Sequence, residues 1–103
     1  MSRFASHVVR SFDHVPTYPA QLIKAGGVVK NLHKVQVQGY EEREINGDTI
    51  RSTDQQFLIM QRELLDSIPA RQDVIVWQSK RYQIMNDTEG QGKEVYLIHG
   101  RLI

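Results

Sequence analysis

Apolar residues in this chain come in short runs broken by turn-forming residues, and that spacing constrains the fold most. Ala20 to Lys24 is a short candidate strand stopped by Gly26-Gly27. In "KVQVQGYEER" (34–43), Val35, Val37 and Gly39 fall on one face and Lys34, Gln36, Gln38 and Tyr40 on the other. That is the period-2 alternation of a half-buried strand. Gln55 to Gln61 has a continuous apolar centre, Phe57, Leu58, Ile59 and Met60, which suits a strand buried on both faces. Asp73–Gln78 and Arg81–Met85 form a hairpin around Ser79-Lys80, although Ser-Lys is not a favoured turn pair. Glu94 to Ile103 is a last strand, kinked at Gly100. Arg62 to Pro69 reads as one helical turn or a wide loop, and Asn86 to Lys93 as a polar loop. About six short strands separated by turns predict an all-β small barrel or sandwich.

The first nineteen residues differ from the rest. They mix Arg, Ser and His with scattered apolar residues and end in Pro16 and Pro19. Phe4, Val8 and Phe12 would share one face of a short helix, but two turns are marginal alone in water. The division expected is a flexible arm or short helix over 1–19 and a small β domain over 20–103. At 103 residues the chain can bury one modest core.

Composition narrows the function. There is no Cys, so disulfide scaffolds, Cys-based zinc sites and thiol nucleophiles are excluded. The formal net charge is +1, without the basic excess of a nucleic-acid-binding domain. No apolar run is long enough to span a bilayer, and the N-terminus lacks a signal-type apolar stretch. The expectation is a soluble protein, cytoplasmic where it is made.

The search for chemistry gives little. His7, His14, His33 and His99 include no pair at the short spacing that aligns imidazoles for a metal, so they read as solvated or hydrogen-bonded. There is no nucleophile elbow, and neither Gly26-Gly27 nor the glycines at Gly90 and Gly92 form a phosphate loop. No enzyme activity and no cofactor are expected. Trp77 and Tyr82 flank the hairpin turn. Core packing is the simpler reading for them, with base stacking the alternative. A small enzyme or metal protein using His33, His99 and the loop acids is a further alternative.

The segment "EINGDTIRSTDQQF" (44–57) is long and polar where a two-residue turn would connect the strands. The order of features around it resembles the head-tail joining, or head closure, proteins of long-tailed bacteriophages and prophages. The resemblance covers about Ala20 to Ile103. Its first part is the loop residues Glu44, Ile45, Gly47, Asp48, Ile50 and Asp54. It continues through Pro69, Asp73, Ile75, Tyr82, Ile84, Tyr96, Leu97 and Arg101. Gln78-Ser79-Lys80 departs from it, since the family's hairpin more often carries Gly there. So does the short, His-bearing arm.

The resemblance implies a non-enzymatic virion protein of the phage neck, made in the host cytoplasm. Such proteins are monomers that assemble as a homo-oligomeric ring below the portal. They close the DNA-filled head and offer the surface on which the tail docks. Partners would be the portal or adaptor protein and the tail terminator protein. No membrane is involved, and DNA is at most surrounded by the channel. The loop would stay unfolded in the monomer and order at the ring interface. Arg43, Glu44, Asp48, Arg51 and Asp54 would supply ion pairs there, and Ile45 and Ile50 apolar anchors. A nucleic-acid-binding barrel and a tail-end connector of the same phage module are the alternatives.

Overall fold

The computed structural model describes residues 16–46, 49–64, 67–88 and 94–103. Six antiparallel strands close into a small barrel: β1 (Tyr18–Ile23), β2 (Val29–Gly39), β3 (Gln55–Met60), β4 (Val74–Trp77), β5 (Lys80–Ile84) and β6 (Val95–Leu102). Their order around the barrel is β1-β2-β3-β6-β5-β4. Closure comes from β1 against β4, where Gln21, Leu22 and Ile23 face Val76, Ile75 and Val74. Among the described residues no helix is long and apolar enough to cross a membrane.

Alternation sends one face of every strand inward. Leu22, Leu32, Val35, Phe57, Ile59, Ile75, Tyr82, Ile84 and Ile98 fill the interior and are almost wholly buried. The rings of Phe57 and Tyr82 meet edge-on at 5.2 Å, a geometry that aromatic quadrupoles favour. Gly100 continues β6 without a break, pairing with both Gln55 and Ile84. A Cβ there would lie 2.5 Å from Cε2 of Phe57, so the glycine makes room for that ring. β3 is buried on both sides as its sequence predicts. Phe57 and Ile59 point in, while Leu58 packs outside with Val95, Met60 and Leu97.

Several boundaries differ from the sequence reading. β1 starts at Tyr18, so Tyr18 and Pro19 belong to the barrel. The rest of the expected arm, residues 1–15, lies outside the described residues. β2 starts at Val29 and not at Lys34, because an extra residue breaks its alternation. Tyr18 faces Val35, but Ala20 faces Leu32. The expected turn over Arg62 to Pro69 appears as a short 3₁₀ helix, Gln61–Leu64, whose Leu64 is buried in the core. The β4–β5 turn is Gln78-Ser79, one residue earlier than expected, with φ of 50° and 63°.

The connections sort to two ends of the barrel. At one end lie the β1–β2 turn, the Gln61–Leu64 helix and the chain from Ser67 to Asp73. At the other lie the start of β1, the β2–β3 loop, the Gln78-Ser79 turn and the C-terminus. The first end is fastened by Asp73, which is buried. Its carboxylate accepts from Lys24 Nζ at 2.5 Å and from the amides of Ala25 and Ala70 at 3.0 Å.

Candidate functional site

Gly39 and Gln55 face each other directly across β2 and β3. A tight turn could join them, yet the chain runs out from Tyr40 to Asp54. On the described residues this excursion is a series of small local turns. Glu41 to Glu44 forms a short 3₁₀ turn: the Glu41 amide donates to Glu44 Oε1 at 3.2 Å, and the Glu44 amide to the Glu41 backbone carbonyl at 2.8 Å. Asn46 Oδ1 accepts from the amides of Thr49 (2.7 Å) and Ile50 (3.0 Å), and the Asn46 amide donates to Ile50 O (3.0 Å). Asp54 Oδ2 accepts from the Arg51 amide at 2.9 Å. These side chains offer the backbone the local bonds that Asn and Asp make well in turns.

The base of the loop is held by β6. Its inward residues Ile98 and Gly100 alternate with His99 and Arg101, which point outward toward the loop. Arg101 Nε donates to Asp54 Oδ1 at 3.2 Å and Nη2 to Oδ2 at 3.0 Å. The same Nη2 reaches Thr49 O at 3.0 Å. His99 Nε2 lies 2.6 Å from Asp54 Oδ2, and Tyr40 packs edge-on against the imidazole at 5.3 Å. The His99 backbone is fixed in turn by Asn86 Oδ1, which accepts from its amide at 2.8 Å.

Burial by itself would raise the Asp54 pKa. The bonds from Arg101, the Arg51 amide and His99, with the Arg101 charge, outweigh it and hold the carboxyl at about 2. Tyr40 is pushed up to about 12, first by burial and then by the charges of Asp54 and Glu44.

Comparison with known proteins adds no assignment: no family model, no curated protein and no solved structure matches the chain.

The structure separates the expected loop residues into groups. Arg43, Glu44 and Arg51 are exposed. Arg43 pairs with Glu41 at 2.7 Å in full view of solvent, where such a pair contributes little stability. Ile45 and Ile50 are half-buried and belong to neither apolar cluster of the barrel. Asp48 lies outside the described residues. Asp54 is a different matter. Its carboxylate is fully buried and hydrogen-bonded on both oxygens, so it roots the loop and presents no charge at the surface. On its described residues the loop's turns are closed by local hydrogen bonds.

The other candidates also find their places. His33 sits on Glu63, with Nδ1 3.3 Å from Oε1, far along β2 from His99 and its Asp54. Among the described residues no group of three or more His, Asp or Glu could hold a metal ion. Tyr82 points into the core, and Trp77 is half-buried between Tyr18, Phe57 and Tyr82. Neither ring lies open as a stacking platform. Arg101 was legible in the sequence only as the charge near the end of the last strand. Its tie to the loop depends on a contact across 47 residues.

Proposed function

We propose that this chain is a structural protein of the phage neck, assembling as a ring below the portal to close the DNA-filled head and receive the tail. The observation that carries the reading is the division of labour at one end of the barrel. A closed barrel supplies a rigid body. A loop far longer than its connection requires is rooted by Asp54, His99 and Arg101 and turns Arg43, Glu44 and Arg51 outward. Loops on a rigid scaffold are where proteins place binding surfaces. Exposed charges of this kind steer and specify partners more than they hold them. The half-buried Ile45 and Ile50 supply apolar contact between those charges. The portal or adaptor protein on one side and the tail terminator on the other are the partners this reading requires. The DNA passes through the ring.

The test is co-sedimentation of the purified protein with DNA-filled, tail-less heads of the phage that carries its gene. The protein should pellet with the heads, stop DNA leakage and let added tails attach. A protein that stays in the supernatant while the heads leak overturns the reading. Binding to isolated tails in place of heads would move the protein to the tail-side connector.

A further inference from the structure

β2 is longer than its neighbours cover. β1 pairs with it from Val29 to Val35, but β3 only from Val35 to Gly39. Between Val29 and Lys34, the side of β2 away from β1 therefore has no strand beside it. Two hydrogen bonds fix which backbone groups face that side. Val28 O accepts from the Lys24 amide, so Val28 faces β1. Alternation then turns Val29, Asn31 and His33 the other way. The His33 amide confirms the direction by donating to Glu63 Oε1 at 2.7 Å, away from β1.

Glu63 guards part of this edge. Its carboxylate also accepts from the Lys34 amide at 3.3 Å, so the acid covers both amides of the irregularity in β2. At Val29 and Asn31 no such guard is present among the described residues. Their outward N–H and C=O groups form a short open edge, the kind of template that invites another strand. The surroundings are apolar and accessible: Val28 is 55% exposed, Val29 49% and Ile68 52%. Lys24 Nζ on Ile68 O places Ile68 beside the tip of the same hairpin.

We propose that this edge receives the N-terminal segment of a second copy of the chain, which adds as a strand beside Val29 and Asn31. The inference rests on the ring reading above and supplies its subunit contact. Fifteen residues precede Pro16. Extended, they reach about 50 Å, against about 20 Å for the whole of β1. β1 begins at the loop-bearing end, while the open edge lies toward the opposite end. Donor and acceptor are thus different surfaces, and a contact between different surfaces propagates head to tail, into a ring where its rotation closes. The segment also has the side chains for it. Phe4, Val8 and Phe12 are even numbers of residues apart, so in an extended chain they share one face, with Ser6 and Arg10 between them. Main-chain bonds would give affinity and the apolar face selectivity, as in other strand additions.

The absence of Cys makes the test clean. Cys is placed at Ser6, Val8 or Arg10 in turn, and separately at Asn31, whose side chain is exposed. Cross-strand neighbours lie within disulfide range. Oxidised mixtures of an arm variant with Asn31→Cys should give a mixed dimer at least about tenfold above the same arm variant mixed with Lys80→Cys at the far end of the barrel. Chains carrying both Val8→Cys and Asn31→Cys should give a ladder of covalent oligomers. A double variant that only closes on itself means that the arm covers its own barrel, and overturns the proposal. So do mixtures no better than the control. In a second measurement, Val29→Pro is added to the Asn31→Cys chain, where it removes an N–H that β1 does not use. It should leave the thermal melt of the monomer within a few degrees of the parent and lower cross-linking at least about tenfold. Unchanged cross-linking overturns the proposal. A chain that binds heads but gives no ladder loses this contact alone. A chain that gives the ladder but ignores heads loses the phage role alone.

Discussion

The Asp54 carboxylate accepts bonds from Arg101 and the Arg51 amide and lies against His99, and a carboxyl so placed gives up its proton easily. Its pKa is about 2 in the folded chain, against 3.8 for the ordinary carboxyl. A depressed pKa stabilises the fold fully above the unfolded value, and that stability is lost as pH falls through the folded one. The barrel should therefore lose about 2 kcal/mol between about pH 4 and pH 2 from this group. Urea unfolding at pH 5, 3 and 2 measures the loss, and Asp54→Asn should flatten it. Gly100 sets a second residue-scale expectation. Phe57 is fully buried and cannot withdraw from a new methyl 2.5 Å away. Gly100→Ala should cost about 1–3 kcal/mol, read as a lower urea midpoint at unchanged slope. Neither role was visible in the sequence, where Asp54 looked like one loop acid among several. Its partners lie 45 and 47 residues further on, and only folding brings them to it. Gly100 was legible as special but misread as a kink, because the approach of Phe57 is a fact of packing.

Strands whose inward residues keep strict alternation were readable, and those with an irregularity were not. In β2 both Leu32 and Val35 point inward, although three residues apart they belong on opposite faces of a regular strand. The extra residue that Glu63 caps resolves the conflict, and it also hides the first half of the strand from a period-2 reading. The β4–β5 hairpin shows the limit of turn chemistry. Gln78 and Ser79 both adopt positive φ, which two-residue hairpins need to match the strand twist. Neither residue prefers that conformation, so the sequence carried no clear marker and the turn was placed one residue late. The strain is removable. Replacing Gln78-Ser79 with Asn-Gly should stabilise the barrel by about 1 kcal/mol, seen as a rise of several degrees in Tm. A fall in Tm would mean that the Gln78 or Ser79 side chain makes a contact worth more than the relief of backbone strain.

At the scale of the molecule, short strands in number made an all-β fold legible, but not the choice between sandwich and barrel. That choice rests on β1 meeting β4, a pairing of segments some fifty residues apart with no mark in either sequence. Closure removes most free strand edges, the usual route of unwanted pairing. On the proposed ring reading, assembly uses what closure leaves over: the polar loop, the chain ends and the short uncovered stretch of β2.

Ile45 and Ile50 test the loop's share of this. Both are half-buried, and both stand outside the clusters that hold the barrel together. Placing Asp at both positions adds charge where part of each side chain already meets water, so the barrel should keep its cooperative melt with a loss of about 1 kcal/mol or less. Binding to DNA-filled heads should fall sharply, because two apolar contacts become two carboxylates. Circular dichroism melting and co-sedimentation of the same preparation separate the two effects. A folded double variant that still binds heads would remove the loop from the interface. An unfolded one would make these isoleucines part of the barrel's own support, with the loop's turns packed onto the barrel as a fixed wall.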